Sequence, residues 1–288
     1  MKPRLIVRAA LLLVAAMLGA CANPPAAPQG ALGRIGQSQV LTLGFREDSK
    51  PFSYKAVDGS PAGYSVELCR RVAASLQSQL KLAKLEVKWV PVTVATRMQA
   101  VSDGTVDLEC GSTSRTLGRE QQVDFSNPIW VEGSTFVSPA SAPLRGVADL
   151  HGKRVGVIAG TTTEAAMKAL APRGIVPVFV PVQTHTDGVA AVRDGRAQAY
   201  ATDRLILVGE VVGGPAGPKL VLSDDYLSIE TYALMMRRDA DFRLAVNRAL
   251  AEIYRSGDIA MVFRQSFGPG YLPSSILEAA FLINALPD

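Results

Sequence analysis

Histidine and cysteine are scarce in this chain: His151 and His185 are its two histidines, and three cysteines occur in 288 residues. None stands at metal-ligand spacing from another, which excludes a zinc site, and no metal is expected. Aromatic residues make up 6% of the chain, and they are not interleaved with bases. After position 34 there is no basic run either, so nucleic acid is excluded as a partner. The G-x-S-x-G elbow and a nucleophile–base motif are missing, as is G-x-G-x-x-G, so neither acyl-transfer chemistry nor a dinucleotide cofactor is indicated. No cofactor is expected.

The chain opens with a charged stretch, Met1-Lys2-Pro3-Arg4 with Arg8, followed by an apolar run from Ala9 to Leu18. That run is too short for a permanent membrane helix, and residues 1–20 read as an export signal. Leu18-Gly19-Ala20-Cys21 resembles the bacterial lipobox, which makes Cys21 a lipidation site. The alternative is ordinary cleavage after a small residue, which leaves a soluble protein. The formal charge of +4 includes Lys2, Arg4 and Arg8, and loss of those three bases leaves +1. Net charge therefore directs the chain to no polyanion. Cys69 and Cys110 remain as an even pair in an oxidising compartment, where they read as a disulfide. Two buried thiols are the alternative.

Residues 21–37, rich in Pro, Ala and Gly between Asn23 and Gly36, read as a flexible tether. Beyond them, buried-strand runs alternate with helical patterns. Strands are expected at Val40–Gly44, Leu85–Val90 and Val106–Leu108, and helices at Tyr64–Leu80 and Ala95–Val101. A second series runs from a strand at Lys153–Ile158 through a helix at Thr162–Leu170 to a strand at Val176–Val180. The segment Ala100–Leu108 is echoed by Ala191–Ala199, each passing Asp-Gly between a helix and a strand. A helical region is expected over Asp241–Phe263. This alternation signals parallel α/β architecture, built twice.

The chemistry-bearing segments are Gly63-Tyr-Ser-Val-Glu67, Glu109-Cys-Gly-Ser-Thr113, Thr116-x-x-Arg119 with Asp124-Phe-Ser126, and Ala159-Gly-Thr-Thr162. In this order, over about Leu41 to Phe267, they resemble the periplasmic amino-acid-binding proteins (solute-binding protein family 3 of ABC transporters). The resemblance is strongest to their glutamate/aspartate-binding branch. It implies a two-lobe periplasmic-binding-protein fold of type II with the ligand in the interlobe cleft. Lobe 1 is expected over 38–130 and 232–270, and lobe 2 over 134–228. Crossovers are expected near Ile129–Gly133 and Ser228–Tyr232, and 271–288 is left as a C-terminal tail.

The residues and the resemblance together point to one binding site. Arg119, a turn after the cap Thr116, suits a bidentate grip on an α-carboxylate. Thr161 and Thr162 open a helix whose free amides attract anions. By the resemblance, Ser112, Ser114 and Asp203 hold the α-ammonium. Arg46 and Arg97 face a distal carboxylate in the acidic branch, and His185 matches a ligand-contacting histidine there. Each has a plainer reading as a helix-surface charge or a satisfied strand end. Phe45 and Val94 depart from the branch pattern, Val94 standing where a serine is common. Function is accordingly expected to be non-enzymatic. The expected protein is a monomeric, exported receptor that presents an acidic amino acid to a membrane ABC permease. Two alternatives are a sensor-linked binding protein and a cyclohexadienyl-dehydratase-like enzyme on the same fold. For the enzyme, His185, Asp203 and Glu67 are the candidate acid–base groups.

Overall fold

The computed structural model describes residues 30–213 and 217–287. The expected signal, residues 1–20, and Cys21 lie outside them. The first described element corrects part of the tether: Ala31–Ser38 is a helix, α1. Ala31 and Ile35, four apart, bury one narrow face. The Ala31 N–H donates to Asp239 Oδ2 at 2.7 Å, and Arg34 pairs with Asp107. Pro/Ala/Gly-rich composition concealed a helix that needs only two apolar anchors and a carboxylate at its start.

The chain then enters β1 (Val40–Phe45), a small three-stranded flap of β2 (Asp48–Ser49), β3 (Ser53–Lys55) and β4 (Pro61–Ala62), and helix α2 (Tyr64–Gln79). Gly63 opens α2 at φ 117, with its Cα so close to the main chain that a Cβ would lie 2.4 Å from the Phe52 carbonyl; only glycine fits there. Val66, Cys69, Val72, Ala73 and Leu76 form the buried face of α2, as their spacing predicts. There follow β5 (Glu86–Pro91), α3 (Arg97–Ser102), β6 (Leu108–Glu109), the short helix α4 (Leu117–Glu120) and the long strand β7 (Asp124–Pro139).

The second series comprises β8 (Arg154–Ile158), α5 (Thr162–Lys168), β9 (Val178–Val182), α6 (His185–Arg193), β10 (Ala199–Asp203), α7 (Arg204–Gly213) and β11 (Leu220–Leu222). The chain returns along β12 (Ser228–Met236) to α8 (Ala240–Ser256), α9 (Asp258–Phe267) and α10 (Ser275–Asn284). The helix expected over Asp241–Phe263 is therefore two helices. Gly257, at φ 80, breaks it in the left-handed region that glycine adopts without steric cost.

One sheet joins the two series, in the order β5-β1-β6-β12-β7-β10-β8-β9, with β11 on β7. β1 lies parallel to β5 and β6, and β8 parallel to β9 and β10. β7 and β12 pair antiparallel between the two parallel groups, with Val131 opposite Thr231 and Glu132 opposite Glu230. This is the two-lobe α/β fold. The segments Ile129–Gly133 and Ser228–Tyr232 are not loops; they are part of a continuous ladder between the lobes. Each side has its own core. Leu43, Phe52, Tyr64, Trp130 and Phe263 cluster on one side. On the other, Phe136, Val155 and Met167 form one cluster, and Val189, Val192 and Tyr200 another.

The segment 271–288 is corrected too. α10 packs Leu277 and Phe281 into the first core, and the Phe281 ring lies 5.0 Å from that of Tyr254. Its apolar spacing was visible, but the partner surface on α8 and β7 lies far away in sequence. Cys69 and Cys110 are joined as a disulfide, which fastens α2 to the end of β6.

Candidate functional site

The candidate site lies where strand ends of both series meet. β1 ends at Phe45 and delivers Arg46; β6 ends at Glu109 and is followed by Gly111, Ser112, Thr113 and Ser114. From the other side, β8 ends at Ile158 and feeds the turn into α5, while β10 ends at Asp203. Carboxyl ends of strands are where open α/β sheets hold ligands. A small, nearly closed cavity is lined by Arg46, Val94, Arg97, Ser112, Ser114, Thr161, Thr162, Thr163, His185, Thr202 and Asp203. Of the nine expected ligand residues, eight line it.

Two buried cations dominate one end. Arg46 is 2% exposed and Arg97 4%. Arg46 Nη2 donates to Asp48 Oδ1 at 2.7 Å, whereas its Nε is buried and unpartnered among the described residues. Arg97 Nη1 donates to Thr113 Oγ1 at 2.6 Å, and that hydroxyl donates to Glu109 Oε2 at 2.8 Å. Burial pushes Arg97 down to about 10, against the pull of Glu109, so it stays charged at neutral pH. His185 begins α6 and its Nδ1 lies 2.7 Å from the Tyr200 hydroxyl. Burial, reinforced by Arg46 and Arg97 and opposed by Asp48, lowers its pKa to about 3. The ring is therefore neutral and adds no charge.

The opposite end is acidic. Asp203 is buried, and its Oδ1 has no partner among the described residues. Burial first, then the carboxylates of Glu230 and Glu132, raise Asp203 to about 8, although Arg97 draws it down. Glu230, 1% exposed, accepts from Thr162 Oγ1 at 2.7 Å and from Ser228 Oγ at 2.5 Å. An acid that holds its proton at neutral pH in the empty site is set to lose it when a cation arrives.

The turn into α5 supplies the third feature. Thr161 caps it, accepting from the Glu164 N–H at 3.1 Å and donating to the Ile158 carbonyl at 2.8 Å. Its hydroxyl is thereby satisfied, and Thr162 and Thr163, the first residues of α5, line the cavity with it. Ser114 Oγ lies 3.3 Å from Thr162 Oγ1, a contact between the two lobes.

Arg119 is placed differently from the other eight. Thr116 caps its helix, accepting from the Arg119 N–H at 3.2 Å, as its spacing predicts. Its guanidinium bridges the lobes at the edge of the cavity, donating to the Ser114 carbonyl at 2.6 Å and the Gly160 carbonyl at 3.2 Å. Arg119 is half-buried there and its pKa is lowered by burial, with Glu230, Glu109 and Asp203 opposing the shift.

Two buried cations with a half-buried third at the edge, an acid that holds its proton and a ring of hydroxyls, drawn from two lobes, suit a small zwitterion. The family comparison agrees. The model of the bacterial extracellular solute-binding proteins, family 3, matches residues 41–269. The chain belongs to this family.

Among its relatives, an L-glutamate/L-aspartate-binding protein of Pseudomonas aeruginosa is 35% identical over 88% of this chain and 85% of its own. A glutamate/aspartate import solute-binding protein of Salmonella typhimurium is 29% identical over 82% of this chain and 79% of its own. Among solved structures, a mutant of ArgBP from T. maritima superposes with a TM-score of 0.73 at 25% identity, covering 83% of this chain and all of that one (100%). Family 3 proteins are extracellular solute-binding proteins, which places this one outside the cytoplasm. No helix among the described residues is long and apolar enough to cross a membrane.

Several residues of this family 3 site escaped the sequence reading. Thr113 and Glu109 stood inside a quoted motif but carried no role, and both are fully buried behind Arg97. Asp48, Thr163, Thr202 and Glu230 were not singled out. For Glu230 the signal was an acid inside the otherwise β-forming run Ser228–Met236; for Asp48 it was an acid two residues after an arginine.

Proposed function

We propose that this chain is the extracytoplasmic receptor of an ABC importer and binds an acidic amino acid, glutamate or aspartate. One observation carries the reading: Arg46 and Arg97, both buried, converge on one cavity. Burying two guanidiniums costs several kcal/mol unless anions meet them. Asp48 and Glu109 meet part of this need, and the unpartnered Arg46 Nε leaves a donor for a ligand's distal carboxylate. Asp203 fits the α-ammonium; the α5 turn and Arg119 fit the α-carboxylate. Lobe 1 comprises 38–130 and 232–270, now with α1 and α10 added to it, and lobe 2 comprises 134–228. Closing the lobes on the ligand forms the surface that a membrane permease recognises. The protein is a periplasmic monomer, tethered through a lipid on Cys21.

The names of the two curated relatives support the ligand class. A thermal-shift panel of the twenty amino acids at millimolar concentration tests it. Glutamate and aspartate should raise the unfolding midpoint well above the others, as ligands that bind only the folded state do. A shift with arginine or histidine but none with either acid rejects the reading. Mass spectrometry of the exported protein tests the lipid: an acylated N-terminal cysteine is expected, and an unmodified N-terminus contradicts it.

A further inference from the structure

Asp48 touches the site from outside the ring of lining residues, and binding a zwitterion assigns it nothing to do. It lies on the small flap, at the start of β2, two residues beyond Arg46. Its Oδ1 accepts from Arg46 Nη2 at 2.7 Å. From the other lobe, the start of α6, whose first residue is His185, packs against β2. Burial opposes the ionised form of Asp48. Arg46, helped by the main chain at His185, outweighs burial and holds its pKa below the usual value. It is therefore a carboxylate at neutral pH, facing the same arginine that a distal ligand carboxylate needs. Arg97 has its own anion, Glu109, reached through Thr113. This end of the cavity thus holds two cations and two anions before any ligand enters, and the neutral imidazole of His185 does not alter that balance.

We propose that Asp48 is an internal counter-anion that shares Arg46 and the start of α6 with the ligand, and so sets how strongly the distal subsite prefers a carboxylate over a carboxamide. The inference rests on the acidic-amino-acid reading above. An incoming carboxylate is drawn to Arg46 but repelled by Asp48, whereas a neutral amide is not repelled by that charge and can donate to it. Asp48 thereby moderates affinity for the acids and narrows their advantage over the amides.

The test is calorimetric titration of the mature wild-type protein, Asp48→Asn and Asp48→Ser with L-glutamate, L-aspartate and L-glutamine. Asn keeps the shape and removes the charge; Ser removes both, and unfolding midpoints confirm that each variant is folded. Both variants should bind the better acidic ligand about tenfold more tightly, with L-glutamine changed by less than about threefold. Weaker or unchanged binding of the acids overturns the proposal and makes Asp48 a structural support for Arg46. So does an equal gain for glutamine. If wild type binds neither acid, the functional reading itself fails, and the inference with it.

Discussion

At the scale of single residues, recognition depends on which buried charges already have partners. Arg97 has Thr113 and Glu109 behind it, and the acid that shares the cavity wall with it, Asp203, holds its proton in the empty site. Replacing Arg97 by Met should weaken acidic-ligand binding by about 100-fold, since hydrogen bonds to charged groups contribute ~1.5–3 kcal/mol each. Titration calorimetry checks this, and a change under threefold contradicts it. Asp203 gives a second test. With a pKa of about 8 in the empty site, it holds a proton at pH 7, and a ligand ammonium beside it drives that proton off. Binding should then release close to one proton per ligand at pH 7, and affinity should rise as pH climbs from about 6 to 8. Titrations in buffers of different ionisation enthalpy count the proton; zero release contradicts the assignment.

The same shifts fix how the empty protein responds to pH. Asp203, at about 8, and Glu132, raised by burial to about 7, bind protons in the folded state that the unfolded chain has already lost. Stability therefore falls as pH rises from the unfolded carboxyl values through these pKa values. His185, lowered to about 3, acts oppositely below its unfolded value of about 6.5. Between about pH 6.5 and 8 the acids act alone, so the empty protein's unfolding midpoint should fall across that window. A rising midpoint there contradicts the assignment. Arg46, Arg97 and Asp203 were singled out through the family resemblance, and each also stands where an apolar segment ends or a helix begins. Glu109 and Glu230 were not, because their partners are threonine and serine hydroxyls that only the fold brings near.

At the scale of elements, the surprises are the two terminal helices. α1 was hidden because its buried face is only Ala31 and Ile35, set among glycines. α10 was hidden because nothing local shows what Leu277 and Phe281 rest on. Burying such side chains contributes about 1.5–3 kcal/mol each. Truncation after Pro273 should therefore lower the unfolding midpoint by roughly 6 °C or more, and an unchanged midpoint would mean that α10 is not docked. The disulfide closes 41 residues between α2 and the ligand-bearing end of β6. Cys69→Ser with Cys110→Ser should cost about 2–4 kcal/mol in urea unfolding. By contrast, β1, β5, β6, β8 and β9 and the helices α2, α3 and α5 were readable from periodicity to within a few residues, whereas α6, α7, β7 and β12 were not named. Gly257, which splits one expected helix into α8 and α9, was readable only as a residue and not as a break.

At the scale of the whole molecule, the repeated α/β series showed two lobes, and the motifs at their strand ends showed where those lobes face each other. Two crossovers were expected, near Ile129–Gly133 and Ser228–Tyr232, but that they pair with each other as strands was not legible. β7 is a 16-residue strand whose two halves serve different lobes, and a strand's length does not reveal which neighbours it takes along the way. Contacts across the cleft, from Ser114 to Thr162 and from Arg119 to the Gly160 carbonyl, hold the lobes together here. The proposed function requires that these lobes close on a molecule with two carboxylates. Titration calorimetry of the mature protein with L-glutamate and L-aspartate, beside L-glutamine and L-arginine, tests it most directly. At least one acid should bind with a Kd of about 1 μM or tighter, and more tightly than glutamine or arginine. Heat from arginine and none from either acid would contradict the account.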